Sequence, residues 1–545
     1  MDSVPSMLVI AILLVPIFGA AGAAVFGRRS APAARSIALA AVVVTFALTA
    51  WIAAESVSPL LSRGSDLGPA LTTFRPIHDT RVDILRLGDP PASAVQFYVG
   101  IDGINLWLVA LTSLLMVTAV LISWNAIRDR ANEYYAWLLM LQLAITGVFV
   151  AFDVVLFYVF FELTLVPLYF LIGIWGGPMR REAARKFFLY TLAGSLITLL
   201  GVIGVILVCY HSVSPASGGA RLTLSITELV QSVQDLVSRT PRAYTLEVQT
   251  AIFLAMALGF AIKVPLFPLH TWLPLAHVEA PTAGSVLLAG VLLKLGTYGF
   301  VRLGLPLAPD AMLAVGVPLL GTLAAIGIIY GALCAFVQPD IKKLVAYSSV
   351  SHLGFCVLGL VAMNHWGLTG SLLQMINHGL STGGLFLLVG MIYERYHTRM
   401  IDDYSGMAAR LKVLSAFMVF ICLTSVGLPG LNGFVGEMLV LAGVVDLRGA
   451  GVSGWPFAVA IAAGIVLGAW YLFTMLMRVF FGPLHEPHHD GVVGDLDRRE
   501  TAIVLLIAIP CLIIGLLPQP LIETTKGDIG VVSRIADAAR TRAQR

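Results

Sequence analysis

Long apolar runs alternate with short polar segments along this entire chain. The runs fall at 4–26, 36–54, 101–125, 135–151, 153–175, 184–210, 249–270, 282–302, 311–334, 341–363, 367–393, 413–445, 456–480 and 501–518. A helix rises about 1.5 Å per residue, so such runs have the length that a ~30 Å hydrocarbon layer requires. Fourteen membrane-crossing helices are predicted. Two runs are interrupted. Residues 413–445 would form a helix of about 50 Å, too long for one straight span, and LPGLNG at 428–433 supplies a break. In the run at 249–270, Pro265 lacks an amide donor and clashes with the carbonyl of Ala261, and Pro268 and Pro274 follow. The interrupted runs are the seventh and twelfth, five apart. A repeat of five spans flips its second copy across the membrane. The expectation is therefore an all-α polytopic membrane protein of about fourteen helices, with two discontinuous helices and an inverted five-helix repeat, a transporter architecture.

One membrane domain, 1–545, accommodates this pattern. Its predicted parts are 1–134, with N-terminal spans and an outer loop; 135–302 and 311–480, the two repeat halves; and 481–545, the last span and tail. The polar stretch 56–98 is long enough for a small hairpin, and SITELVQSVQDLV within 211–246 has the spacing of a surface helix. Composition changes the picture little. Hydrophobic residues make up 58% and charged residues 12%, with mean hydropathy +0.90. A soluble chain carries about 25% charge. A net charge of +3 argues against nucleic acid as a partner. The five cysteines are scattered singly, without metal-ligand spacing, and no glycine-rich nucleotide fingerprint occurs.

Basic residues set the expected orientation. Arg28, Arg29, Arg35, Arg128, Arg130, Arg180, Arg181, Lys342, Lys343, Arg395 and Arg399 all fall in alternate loops, whereas the opposite short loops hold Arg302 and Arg448. The lysine- and arginine-rich side is cytoplasmic, which puts both termini outside. The first run has no basic residue before it, unlike a secretory signal, and reads as an uncleaved helix.

Against this background, ionisable residues inside the runs stand out, because a charge at bilayer depth costs several kcal/mol and marks an ion path or wet cavity. Lys263 and Lys294 lie in GFAIKVPLFPLHTWLPLAHVEAPTAGSVLLAGVLLKLG, residues 259–296. The structural alternatives are a lysine that snorkels to the interface or one satisfied by carbonyls. Glu162 is near the middle of the fifth run, His352 and His378 lie in later runs, and Glu437 follows the break at Pro429 and Gly430. Histidine titrates near neutrality, so His352 and His378 suit proton relay, although a lone buried histidine often serves only packing. His270 and His277 are weaker candidates. HEPHHD at 485–490 reads as a solvated loop rather than a metal site.

The run KVPLFPLHTWLPLAHVEAPTAGSVLLAGVLLKLGTYGFVRLG resembles the antiporter-like membrane subunits of proton-pumping NADH:quinone oxidoreductase (respiratory complex I), and HVEAPTAGSVLLAGVLLKLG is most similar to their M-type members. The resemblance spans most of residues 100–485, and it departs at Leu275, where the family typically carries aspartate. It implies a proton path of Glu162, Lys263, Lys294, His352, His378 and Glu437, with Glu162 paired to Lys263. An ion pair at about 4 Å and an effective dielectric near 20 is worth about 4 kcal/mol, so separating the two would release the lysine's proton. Glu437 matches a carboxylate of the M-type members, where the L and N types tend to carry lysine.

The resemblance further implies that this chain binds no cofactor or metal. NADH, FMN, iron–sulfur clusters and quinone would belong to other subunits. The implied partners are neighbouring antiporter-like subunits and the lateral helix of subunit L, in a bacterial plasma membrane. An Mrp-type sodium/proton antiporter or a related membrane-bound hydrogenase shares the same charged constellation. A passive scaffold does not explain it, since a scaffold gains nothing from burying Lys263, Lys294 and Glu437.

Overall fold

The computed structural model describes residues 3–28, 30–65, 73–87, 93–212, 222–448, 451–488 and 493–544. Among them, thirteen helices are long and apolar enough to cross a membrane. A further pair, Lys412–Val426 and Asn432–Val445, is apolar but short, and occupies the place of the interrupted twelfth run. Gly427 ends the first of these helices in the left-handed conformation (φ 76°), and Gly430 (φ 90°) turns the chain between them. Both are conformations that glycine adopts without steric cost. The seventh run likewise ends as a helix at Lys263 and resumes as Leu273–Glu279. The fifth run is irregular at Thr164, between Val154–Leu163 and Leu165–Trp175, but crosses as one span with helical dihedrals throughout. Pro167 explains this, because it cannot donate to the carbonyl of Leu163.

Not all of the chain is helical. Strands β1 (Ile77–Leu87) and β2 (Ser93–Ile101) form an antiparallel hairpin, so the third helix starts at Leu106 rather than at 101. The amphipathic stretch forms helix Ile226–Arg239, which buries Ile226, Leu229, Val230, Val233 and Val237 along one face.

Burial divides the helices into two classes. The apolar stretches of Thr282–Leu307 and His365–Tyr396 are entirely buried, and that of Ile341–Val361 is 94% buried, whereas those of the first two helices are 44% and 33% buried. The three central helices carry Lys294, His378 and His352. Close approach builds this centre. A Cβ at Gly296 would lie 2.6 Å from the carbonyl oxygen of Phe260, so only glycine lets the Lys294 helix lie against the Lys263 helix. The Lys294 helix is not regular: π-helical turns at Leu288–Leu292 and Phe300–Gly304 flank the lysine. Such turns occur frequently at functional sites.

Arg302, expected in an outer loop, is instead wholly buried in this helix. Its guanidinium donates to both carboxylate oxygens of Asp102, at 2.6 and 2.9 Å, and to the hydroxyl of Tyr298. Both partners are at 0% exposure. The hydrophobic loop composition around Arg302 hid an ion pair whose acid lies 200 residues away. Breaking such a pair from one side leaves an unpaired buried charge and costs about 3–5 kcal/mol. Asp102→Ala is therefore expected to lower thermal stability in detergent sharply, and Asp102→Leu combined with Arg302→Met to recover most of it. Unfolding followed by temperature-dependent aggregation of the purified assembly checks both.

Candidate functional site

Lys263 is the last residue of its helix, and its side chain is buried beside the break. Its ammonium donates to the hydroxyl of Thr164 at 3.0 Å and lies 4.1 Å from the centre of the Phe161 ring. The Thr164 hydroxyl donates to the carbonyl of Phe161 in its own helix at 2.7 Å, which leaves its oxygen to accept from the lysine. Glu162, two residues earlier, is within electrostatic reach of Lys263, but no direct ion pair joins them among the described residues. The contact implied by family resemblance is thus replaced by the hydroxyl and the aromatic face. One carboxylate oxygen of Glu162 is buried and has no hydrogen-bond partner among the described residues.

Lys294 is at 0% exposure. Its amine donates to the carbonyl of Ala289 and meets Nδ1 of His378 at 2.7 Å. The π-helical turn supplies that carbonyl, since widening the helix frees oxygens from the regular ladder. If the ammonium is the donor, Nδ1 must accept, and the imidazole proton sits on Nε2. That nitrogen is buried without a protein partner. The ring of His378 lies 5.9 Å from that of His352, centre to centre. His352 in turn places Nδ1 3.7 Å from a carboxylate oxygen of Glu437 and Nε2 3.3 Å from the hydroxyl of Tyr471. Lys294, His378, His352 and Glu437 thus form one continuous cluster, brought together by four separate helices. Lys263 and Glu162 make no hydrogen bond or ion pair with this cluster among the described residues.

Glu437 owes its position to the broken helix. A side chain at Gly427 would collide with its carboxylate, so the glycine that turns the chain also makes room for the acid. Asn377 and Asn432 tie the break to the His378 helix: the amide of Asn377 donates to the carbonyl of Asn432 at 2.6 Å, and the amide of Asn432 returns to Asn377 at 3.4 Å. Gln374 lies within reach of Glu437.

Sequence reasoning missed Thr164, Gln374, Asn377, Asn432 and Tyr471. Neutral polar residues are common in membrane helices, and nothing local distinguishes these. Lys342, read as a loop charge that sets orientation, is 8% exposed and donates to the carbonyls of Val278 and Ala280. In the HEPHHD segment, Glu486 faces Arg410 at 3.5 Å, while His489 and Asp490 lie outside the described residues.

A bundle of membrane-crossing helices with interrupted segments, and with amine, imidazole and carboxyl groups joined at its buried centre, defines an antiporter-like ion-translocating membrane protein. Comparison with known proteins makes this specific. Residues 151–467 match the family described as NADH:quinone oxidoreductase/Mrp antiporter, TM, and the chain belongs to that family. It is 39% identical to NADH-quinone oxidoreductase subunit M of Rhodobacter capsulatus over 516 residues, 93% of each chain. Among solved structures it is similar to a chain of respiratory complex I from Thermus thermophilus with bound NADH (TM-score 0.77, 29% identity, covering 96% of this chain and 99% of that one). A chain of the Mrp complex from Dietzia sp. DQ12-45-1b shares the fold (TM-score 0.74, 18% identity, covering 100% and 99%).

The Lys263 geometry yields a direct expectation. A hydrogen bond to a charged group is worth about 1.5–3 kcal/mol, a factor of about ten or more. Thr164→Val keeps the volume and removes the acceptor, so ion translocation driven by the intact assembly should fall by about tenfold. Lys263→Ala should reduce it further. Equal rates for Thr164→Val and the unaltered protein in reconstituted vesicles would remove Thr164 from the site.

Proposed function

We propose that this chain is the proton-translocating M-type membrane subunit of an NADH:quinone oxidoreductase, in which electron transfer takes place in other subunits. The observation that carries the reading is the closely spaced Lys294–His378–His352–Glu437 cluster, three of whose members lie on helices that are almost wholly buried. The 39% identity to subunit M of Rhodobacter capsulatus supports the assignment of the complex.

The proposed sequence of events begins at Lys263, whose proton is held by the Thr164 hydroxyl and biased by the charge of Glu162; Lys263 passes it through bridging water to Lys294 as Lys294 empties, and is itself refilled from the cytoplasmic side. Lys294 gives its proton to Nδ1 of His378, and the proton on Nε2 of His378 passes to His352. Through His352 it reaches the carboxylate of Glu437. Steps longer than a hydrogen bond need a bridging water, and the unpartnered polar atoms at His378, Gln374 and Asn377 are the kind that hold one. The kink at Gly427 to Gly430 frees carbonyls and gives Glu437 a wet route outward. Every carrier ends each cycle in the protonation state in which it began.

We further propose that the two chain breaks, after Lys263 and before Glu437, mark corresponding points of an inverted repeat spanning 135–302 and 311–480. NADH, FMN, iron–sulfur clusters and quinone then reside in partner subunits. Neighbouring antiporter-like subunits and the lateral helix of subunit L flank this chain. The membrane is a bacterial plasma membrane, with both termini on its outer side.

The exit station needs an ionisable group. Glu437→Gln should depress NADH-driven acidification of liposomes severely at normal assembly, and Glu437→Asp should retain a substantial part. If Gln pumps as well as Glu, the residue is a hydrogen-bonding group and the exit lies elsewhere.

The sodium/proton antiporter reading is separated by ion identity. Amines and imidazoles carry protons, whereas sodium needs clustered oxygen ligands. Pumping is expected to persist unchanged in sodium-free buffer. An absolute sodium requirement would favour the antiporter.

A further inference from the structure

The path above has no described entrance at its central cluster. At the basic end of the bundle, a cavity of about 220 Å³ opens under the segment Val278–Thr282, lined among others by Glu279, Lys342, Glu394 and Arg399. The same end carries Arg128, Arg130, Arg180 and Arg181, so by charge it faces the cytoplasm. Lys342 and Arg399 fasten the roof by donating to the carbonyls of Ala280 and Val278, at 2.6 and 2.8 Å. The carboxylate of Glu279 accepts the amide of Met179 at 2.8 Å. Glu394 is exposed and makes no hydrogen bond or ion pair among the described residues.

Glu394 begins a row. Residues 394, 390, 386, 382, 378 and 374 are four apart on one helix, His365–Tyr396, and so form a ridge of successive neighbours, about 6 Å apart along the axis, that winds around the helix by about 40° at each step. In order they are Glu394, Gly390, Phe386, Thr382, His378 and Gln374. Gly390 lines the cavity, and the hydroxyl of Thr382 is buried without a protein partner. His378 meets Lys294, and Gln374 reaches Glu437.

Phe386 alone interrupts this row with an apolar ring. His277 stacks on it, with ring centres 4.6 Å apart and planes 9° from parallel. His277 is at 0% exposure, and neither of its ring nitrogens has a protein partner. A phenyl ring would pack as well and would avoid desolvating two polar atoms. The imidazole thus puts titratable nitrogens where the row lacks a polar group. It lies within electrostatic reach of Lys342 at the cavity and of Lys294 at the centre.

We propose that protons enter from the cytoplasmic face through the cavity beneath Val278–Thr282 and reach His378 by way of His277, stacked on Phe386, and Thr382 on the ridge between them, with His277 as the first buried carrier. His277 accepts a proton at one ring nitrogen and releases one from the other toward Thr382 and His378, so it ends neutral and the charge arrives on the Lys294–His378 pair. Lys294 is then loaded without passing through Lys263. The inference rests on the proton-path reading given above.

The test uses the whole complex in inverted membrane vesicles, whose outer surface is the cytoplasmic face, with pumping measured relative to NADH oxidation. His277→Phe keeps the stack and removes both nitrogens, and should lower pumping to the level of Lys294→Ala. Independently, Glu394→Cys in a Cys334→Ser background is treated with a membrane-impermeant methanethiosulfonate from outside. Modification should at least halve the pumping that remains, with NADH oxidation coupled as before. Wild-type pumping by assembled His277→Phe overturns the proposal, and so does undiminished pumping by the fully modified Glu394→Cys complex. If His277→Phe does not assemble, the cysteine arm decides. Loss of pumping in Lys294→Ala but not in His277→Phe removes this entrance alone, whereas normal pumping in Lys294→Ala removes the underlying path as well.

Discussion

An amine with no solvent exposure must find its partners inside the protein, and the contact between Lys294 and Nδ1 of His378 at 2.7 Å is how this chain meets that requirement. Much of the fold serves it. The π-helical turn frees the Ala289 carbonyl, Gly296 lets the neighbouring helix close in, and the three most buried helices converge on the pair. The solution is incomplete on purpose of chemistry rather than packing: a lysine held by one carbonyl and one imidazole can lose its proton, because its acceptor can take it.

Arg302 offers the contrast. It is as deeply buried as Lys294, on the same stretch of helix, yet its guanidinium is matched by both oxygens of Asp102 and by Tyr298. Arginine stays charged at any accessible pH, and a two-point pair fixes its geometry. The helix is therefore anchored near Arg302 by an ion pair that cannot lose its charge, whereas its middle carries an amine that can. In the proposed path, such a division would let protonation change at Lys294 without loosening the bundle around it.

The breaks in the helices have a similar double use. Each exposes backbone groups that a membrane cannot solvate, so each must be buried in protein or meet water. Here each break is also beside an ionisable residue: the helix that resumes at Leu273 stops at Lys263, and Gly427 adjoins Glu437. Glu437 depends on the break for the space its carboxylate occupies, and Lys263, at the end of its helix, is held by the Thr164 hydroxyl.

What the sequence determined by itself was one-dimensional. Membrane crossing depends on the summed hydropathy of consecutive residues, and the runs read along the chain correspond to thirteen long helices and one interrupted pair. Breaks depend on local Pro and Gly, so those at Pro265 and at 428–433 were legible, as were the ionisable residues Glu162, Lys263, Lys294, His352, His378 and Glu437. Partnership was not. Lys263 finds Thr164 from 99 positions away, and Arg302 finds Asp102 from 200, because helices distant in sequence are packed side by side. The same packing turned Lys342 from a loop charge into the wall of a cavity and set His277 on Phe386. Hydropathy places a residue at a depth in the membrane; which side chain faces it across a helix interface is decided only when the interfaces form.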